Sequence, residues 1–125
     1  MGQILVVDDH HESRRALLAL VKGFHGPAIG AESGPEALRI LEDADVGLVF
    51  LDWGMPGMSG LEVLQFIRAQ PRHAALAVVM YTAMTDLDHR QAALDAGAQE
   101  YVSKGDFDGL VRALKRFAGD KPKPN

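Results

Sequence analysis

The sequence predicts an α/β domain in which a doubly wound, parallel, five-stranded sheet is covered on both faces by helices. Short apolar runs alternate with segments of helical periodicity along the chain. The apolar runs are continuous, which is typical of strands that are buried on both faces. A length of 125 residues suits one domain and is too short for two ordinary ones.

Five apolar runs are the candidate strands. The two strongest, 4–7 and 46–51, are rich in β-branched residues, and each is followed directly by an acidic residue. A third strong run, 77–81, ends at Thr82, and weaker signals lie at 27–31 and 100–103. In chain order, these runs form the strands of the predicted sheet.

Helical patterns follow each of these strands. Apolar residues at helical spacing predict a first helix that stops near Gly23. Ser33 and Ser59 each have a glutamate three residues later, which is the spacing of a capping box. The second and third helices are therefore expected to begin just after these serines.

The last two helices follow the fourth and fifth strands. Thr85 is a suitable N-cap for a fourth helix that stops at Gly97. An apolar stripe at helical spacing predicts the fifth helix, and its members are Phe107, Leu110, Leu114 and Phe117. Residues 120–125 are polar and rich in proline, so we expect a frayed end or the beginning of a linker after a domain at 1–119.

Composition excludes several classes of partner and site. The net charge of −4 offers no basic surface for nucleic acid or for an anionic membrane. The absence of cysteine excludes disulfides, thiolate nucleophiles and cysteine metal sites, and it fits a reducing compartment. The apolar run near the start is too short for a signal peptide or a membrane span. A cytoplasmic protein whose mature chain begins here is expected.

Polar side chains stand at the carboxyl ends of the predicted strands. Asp8 and Asp9 follow the first strand, Asp52 the third, Thr82 the fourth and Lys104 the fifth. In an open parallel sheet the loops after the strands converge on one edge, where ligands bind. We therefore expect these five side chains to lie at the same edge of the sheet.

These residue types suit metal binding and phosphoryl transfer. Crowded carboxylates repel one another, and a hard cation such as Mg²⁺ relieves that repulsion through oxygen ligands. A carboxylate such as Asp52 can attack phosphorus when a metal, held by Asp9, and the Lys104 ammonium neutralise the transferring group. The Thr82 hydroxyl can then bond a phosphoryl oxygen and be pulled inward by it.

Four segments resemble the receiver domains of two-component response regulators. They read VVDD at 6–9, LDWGMPGMSG at 51–60, YTA at 81–83 and YVSK at 101–104, in the order and at about the spacing of that family. The resemblance extends from residue 4 to about residue 118. It implies a flavodoxin-like (βα)5 fold with strand order 2-1-3-4-5.

The resemblance also implies roles for the residues of the metal site. Asp52 corresponds to the phosphoacceptor, and Asp8 and Asp9 to the acidic pair that binds Mg²⁺, with Mn²⁺ as an alternative. The backbone carbonyl of Gly54 corresponds to the remaining protein ligand. His10 and His11 follow the acidic pair, and we interpret them as solvated residues of the first helical turn, since Mg²⁺ prefers oxygen.

The same resemblance implies a conformational switch. Thr82 and Lys104 correspond to the pair that senses the phosphoryl group, and Tyr101 to an aromatic residue that turns inward when Thr82 moves. The face formed by the fourth helix, the fifth strand and the fifth helix would change as a result. The implied partners are a histidine kinase or phosphotransfer protein and an output domain or downstream protein, with a phosphorylation-dependent homodimer at that face as a further expectation.

The sequence departs from the family pattern after two site residues. Gly105 stands where the family commonly has a proline after the lysine, often with a cis peptide bond, so the placement of the ammonium is open. Gly54 stands two residues past Asp52 and has no side chain to shield the site from water or to steer an attacking water molecule. Met84 stands at the corresponding position past Thr82. These two residues do not predict how long a phosphoryl group on Asp52 would last.

Other functions fit the residues less well. A metal-dependent phosphohydrolase would need a general acid two residues past Asp52, where Gly54 stands, so we expect no turnover enzyme. A scaffold that is never phosphorylated would be expected to lack the acceptor, the acids or the lysine, and all are present. A nucleotide binder would have a glycine-rich loop after the first strand, where acids stand instead.

Overall fold

The computed structural model describes residues 2–118 and contains one parallel sheet with helices on both of its faces. The strands are β1 (Gln3–Val7), β2 (Ala28–Ala31), β3 (Val46–Leu51), β4 (Ala77–Thr82) and β5 (Glu100–Ser103). The helices are α1 (His11–Phe24), α2 (Gly34–Asp43), α3 (Gly60–Ala69), α4 (Leu87–Asp95) and α5 (Phe107–Ala118), and a short 3-10 helix spans Pro71–His73. The predicted domain boundary after residue 119 and the tail at 120–125 lie outside the described residues.

The strand order is β2-β1-β3-β4-β5, and all the pairs are parallel. This order confirms the predicted flavodoxin-like fold. The register aligns Val7 of β1 with Leu51 of β3, and it aligns Thr82 of β4 with Ser103 of β5. The residues that follow these positions therefore emerge side by side at one edge of the sheet.

The sheet separates two apolar cores. On one face, Leu5 and Val7 of β1 pack with residues of α2, α3 and α4. On the other face, Ile4 and Val6 pack with residues of α1 and α5. Successive residues of β1 thus serve opposite cores, which explains why its sequence is apolar without alternation.

The serine caps predicted for α2 and α3 are present. Ser59 and Glu62 form a complete capping box, in which each side chain accepts the backbone N–H of the other residue. Ser33 accepts the N–H of Glu36, whereas the Glu36 carboxylate accepts the N–H of Glu32. Only half of the box therefore forms at α2, where the carboxylate reaches one residue further back.

Two helical predictions need correction. Asp86, and not Thr85, caps α4, because the Asp86 carboxylate accepts the N–H of His89 at 3.1 Å. In α5, Leu110 is buried as the stripe predicts, but Phe107 is 53% exposed. Phe107 lies in the first turn of α5, and its ring packs edge-on at 6.1 Å from the partly exposed ring of Phe24.

Arg68 of α3 ties the helix to the turn that precedes β5. Its Nε and Nη2 donate to the carbonyl of Gly97 at 3.1 and 2.8 Å, and Nη2 also donates to the Gln99 side chain at 2.8 Å. Gly97 has a φ of +109°, and an added Cβ there would lie 2.9 Å from Arg68 Nε. Glycine therefore allows both the turn after α4 and the close approach of the guanidinium.

In contrast to its neighbours, α4 contributes little to the core. Within the described residues, Ala93 is the one side chain of this helix that is buried, whereas α3 buries Val63, Leu64 and Ile67. The helix therefore buries little apolar side-chain surface against the sheet. Among residues 2–118, no helix combines the length and apolar character needed to cross a bilayer.

Candidate functional site

The register of the sheet brings the predicted polar residues to one edge. The N–H of Asp52 donates to the carbonyl of Val7 at 2.9 Å, so Asp52 emerges beside Asp8. The N–H of Lys104 donates to the carbonyl of Thr82 at 2.9 Å, so these two residues are neighbours as well. Backbone hydrogen bonds that extend the ladders therefore position the site.

Three carboxylates lie close together at this edge. Asp8 and Asp52 are 3% and 5% exposed, although carboxylates are rarely buried without a partner. One oxygen from each of Asp8, Asp9 and Asp52, together with a ring nitrogen of His10, forms a group whose members lie within 4.8 Å of one another. The group has the residue types and the spacing of a site that could hold a metal ion.

Lys104 compensates part of this negative charge. Its Nζ lies 2.9 Å from Asp8 Oδ2 and 2.9 Å from Asp52 Oδ2. Burial opposes the charged form of Lys104, but the hydrogen bonds that its ammonium donates to Asp8 and Asp52 outweigh burial and raise the pKa of the ammonium. One ammonium therefore bridges two carboxylates, and Asp9 is left outside this contact.

Asp8 is held ionised by several donors. Burial favours its neutral form, but hydrogen bonds from the Ser13 side chain, the His10 N–H and Lys104 outweigh burial and lower the pKa of the carboxyl group below 3.8. Ser13 was not among the predicted site residues. It lies on α1, and only its approach to Asp8 in the folded chain identifies its role.

The Asp9 carboxylate is the feature that fits a cation most directly. Its Oδ1 is buried and has no hydrogen-bond partner among the described residues. A buried, unpaired oxygen of a carboxylate is costly unless a cation or another ligand satisfies it. Because the surrounding donors are mainly carboxylate oxygens, the residues present fit a hard divalent cation.

A chain of hydrogen bonds connects Thr82 to Tyr101 through Met84. Thr82 is 1% exposed, and its Oγ1 accepts the N–H of Met84 at 3.3 Å. The hydroxyl of Tyr101 donates to the carbonyl of Met84. The backbone of the loop between β4 and α4 is thus held by both residues.

Tyr101 lies inward in this structure. Its side chain is 7% exposed and belongs to the core on the face of α2, α3 and α4. Burial, reinforced by the negative charges of Asp86 and Asp52, raises the pKa of its hydroxyl above 10.0. An inward turn of Tyr101 on phosphorylation stays a prediction.

The two glycines that depart from the family pattern are accommodated. Gly105 has a φ of +95°, and the described residues contain no cis peptide bond, yet Lys104 reaches both carboxylates. Gly54 lies in the loop after β3, where an added Cβ would meet the methyl group of Met84 at 3.3 Å. The loop that carries Gly54 therefore lies close to the Met84 side chain.

Gly60 ends the segment 51–60 that resembles the family, but the sequence predicted no role for it in the site. Its N–H donates to the carbonyl of Trp53 at 2.8 Å, and an added Cβ would overlap the carbonyl oxygen of Asp52. The first residue of α3 therefore packs against the backbone of the acidic loop. The contact between Gly60 and Asp52 is tertiary, so no local pattern signals it.

Replacement of Lys104 by methionine is expected to destabilise the cation-free protein by about 2 kcal/mol at neutral pH, because two buried carboxylates lose their counter-charge. The folded-state pKa of Asp8 lies below 3.8, so its contribution to stability is present above that value and is lost as pH falls through the folded pKa. The difference between wild type and variant should therefore shrink in acid. Thermal unfolding between neutral pH and about pH 3 checks this, and a difference independent of pH would contradict it.

Comparison with known proteins identifies the family. Residues 4–115 match the model of the response regulator receiver domain. The chain is 38% identical to the chemotaxis protein CheY of Pseudomonas aeruginosa over 104 residues, which cover 82% of this chain and 83% of that protein. It is 40% identical over 116 residues to the transcriptional activator protein ExaE of Pseudomonas putida, covering 90% of this chain but 53% of ExaE. The chain thus spans about half the length of that activator.

A solved structure gives the same result. The response regulator protein TrrA of Thermotoga maritima, in complex with Mg(2+)-BeF, superposes with a TM-score of 0.83 at 35% identity. The superposition covers 94% of this chain and 99% of TrrA. With the family match and these relatives in agreement with the observed strand order and acidic edge, the chain belongs to the response regulator receiver domains of two-component signalling.

Proposed function

We propose that this receiver domain accepts a phosphoryl group on Asp52 in a reaction that depends on Mg²⁺. One observation carries the proposal: Lys104 bridges Asp8 and Asp52 at 2.9 Å each. Beside this bridge, Asp9 presents a buried oxygen that accepts no hydrogen bond from the described residues. The site thus has a carboxylate nucleophile, a fixed ammonium and an unsatisfied metal ligand in one place.

The cation would be held by Asp8, Asp9, Asp52 and the backbone carbonyl of Gly54. When bound, Mg²⁺ neutralises charge on the phosphoryl oxygens, and Mn²⁺ can serve in the same way. Lys104 contributes a second positive charge through its contact with Asp52. The oxygen donors around Asp9 support this assignment, because hard cations prefer carboxylate and carbonyl oxygen.

The donor is a phosphohistidine on a histidine kinase or phosphotransfer protein. The phosphorus–nitrogen bond of the donor breaks while a phosphorus–oxygen bond to the Asp52 carboxylate forms, and the departing imidazole nitrogen takes up a proton. In this chain, Lys104 orients Asp52 through its hydrogen bond and balances the charge that the phosphoryl group adds. We expect phosphorylation and slow hydrolysis but no turnover of other substrates.

Phosphorylation would act on the face formed by α4, β5 and α5. The Thr82 hydroxyl already accepts the N–H of Met84, and its proton can be donated to a phosphoryl oxygen. Movement of Thr82 would disturb Met84, whose carbonyl is bound by the Tyr101 hydroxyl. The arrangement supports transmission from Asp52 to the loop before α4 and to Tyr101.

The output would come from a partner of this face. ExaE and the transcriptional regulatory protein KdpE of Mycobacterium tuberculosis are each about twice as long as the segment that matches this chain. The match covers 53% of ExaE and 52% of KdpE. The additional length of these relatives supports an attached or separate output domain. A cytoplasmic location stays an expectation from the sequence. A phosphorylation-dependent homodimer at the same face belongs to the proposal. With a net charge of −4, this domain is not expected to bind nucleic acid itself.

The experiment is intact-mass measurement after incubation with acetyl phosphate. We expect the gain of one phosphoryl group when Mg²⁺ is present, because the metal neutralises the charge of the transferring group. We expect no gain when the metal is removed with EDTA, and recovery when Mg²⁺ or Mn²⁺ is restored. A gain of equal size without any divalent cation would contradict the proposed role of the acidic cluster.

A further inference from the structure

The His10 side chain is 70% exposed, as its interpretation from sequence expected, but its ring also lies beside the acidic pair. It precedes α1 as the N-cap residue, and its backbone N–H donates to Asp8 Oδ1 at 2.9 Å. Its ring nitrogen Nδ1 lies 3.3 Å from Asp9 Oδ1 and 3.5 Å from Asp8 Oδ1. The backbone hydrogen bond therefore holds the imidazole beside the carboxylates.

The spacing of these atoms suits ligands of a single cation. In octahedral coordination with bonds of about 2.1 Å, neighbouring ligand atoms lie about 3.0 Å apart and opposite ones about 4.2 Å apart. His10 Nδ1 is 3.3 Å from the unpartnered Oδ1 of Asp9, and all four candidate ligand atoms lie within 4.8 Å of one another. Only small adjustments would bring the imidazole into the coordination sphere.

The His10 side chain has no competing structural role. It makes no capping hydrogen bond to α1, and it is 70% exposed, so the ring can rotate without a loss of core packing. His11 behaves differently, because its Nδ1 lies 3.3 Å from Arg14 Nη2 of the same helix. Of the two adjacent histidines, only His10 lies beside the acidic pair. Substitution of His11 is therefore a matched control for substitution of His10.

We propose that His10 is a nitrogen ligand of the cation site and sets its metal preference. Imidazole nitrogen favours transition-metal ions such as Mn²⁺ and Co²⁺ over Mg²⁺, which takes oxygen ligands. The site would thus bind Co²⁺ and Mn²⁺ more tightly, relative to Mg²⁺, than a site with oxygen ligands alone. The inference rests on the cation site of the proposed function and adds the residue that determines its selectivity.

Calorimetric titration of the chain with each metal tests the proposal. For His10→Ala we expect the dissociation constant for Co²⁺ to rise roughly tenfold or more, as for other changes at metal ligands and their supports. The constant for Mg²⁺ should stay within about twofold, because that ion does not depend on nitrogen. His11→Ala should change neither constant. An equal loss of Mg²⁺ and Co²⁺ affinity in His10→Ala, or an unchanged Co²⁺ affinity, would overturn the proposal.

Pulsed electron paramagnetic resonance gives a direct readout of coordination. With one equivalent of Mn²⁺, the wild type should show modulation from a directly bound imidazole nitrogen. The modulation should vanish in His10→Ala and persist in His11→Ala. Modulation that persists in His10→Ala would assign the nitrogen to another residue and overturn the proposal.

The titrations also separate this inference from the proposed function. If wild-type protein binds Mg²⁺ and Asp9→Asn does not, the acidic site exists, and an unaltered selectivity in His10→Ala would overturn the role of His10 alone. If the wild type binds no divalent cation, the metal-dependent function fails together with the inference.

Discussion

Asp52→Asn is expected to abolish the phosphoryl gain from acetyl phosphate completely. An amide has nearly the shape of the carboxylate but is a much weaker nucleophile, so the acceptor is lost while its volume is kept. The variant should fold at least as stably as the wild type in the absence of cation, because one of the crowded negative charges is removed. Intact mass with Mg²⁺ present, together with thermal unfolding, checks both expectations.

The control for this variant is Asp43→Asn, at the exposed end of α2. The Asp43→Asn substitution is the same chemical change, but it lies far from the acidic edge. The phosphoryl gain of this variant should therefore equal that of the wild type. Retention of the gain in Asp52→Asn would place the phosphoryl group on another side chain. A loss in Asp43→Asn would show that the assay responds to something other than the site.

Gly60→Ala is expected to impair both stability and phosphorylation. The added methyl group would overlap the carbonyl oxygen of Asp52, which is backbone and cannot move without displacing the loop after β3. Overpacking of this kind costs about 1–3 kcal/mol and should lower the Tm by roughly 5–10 °C for a domain of this size. Because the displaced loop carries the acceptor, the initial phosphorylation rate should also fall by about tenfold or more.

Thermal unfolding and the time course of the mass change measure these two effects of Gly60→Ala. The control is Gly23→Ala in α1, where an added Cβ would have no heavy atom within 4 Å. Alanine is the better helix former, so Gly23→Ala should stabilise the protein by about 0.5–1 kcal/mol and leave phosphorylation unchanged. A Gly60→Ala protein with wild-type stability and rate would show that the loop yields freely at this contact.

The strands could be predicted from the sequence because burial on both faces leaves a continuous apolar run. Residues 46–51 are an example, and β3 has the predicted bounds. The cap of α4 was misplaced by one residue because Thr85 and Asp86 are adjacent and both suit an N-cap. Which of the two residues is the cap depends on where the backbone changes from extended to helical, and in the structure this happens after Asp86. Phe107 shows the same limit, since helical spacing does not tell how far the neighbouring helix covers the first turn.

The location of the site was predictable, whereas its supporting contacts were not. Asp8, Asp52 and Lys104 follow strands, and parallel pairing brings such positions together without further information. The contact of Gly60 with the Asp52 carbonyl depends on how α3 packs against a loop, and the orientation of His10 depends on a hydrogen bond to Asp8. Both are tertiary relations that leave no periodicity in the sequence.

The weak anchoring of α4 has a consequence for the dynamics of the domain. A helix that buries only Ala93 among the described residues has a small free energy of local opening compared with the global free energy of unfolding. Its amide protons should therefore exchange through sub-global fluctuations while the sheet stays intact. Such a helix can change position at a cost of little stability, so this part of the fold can occupy more than one arrangement within a single native state.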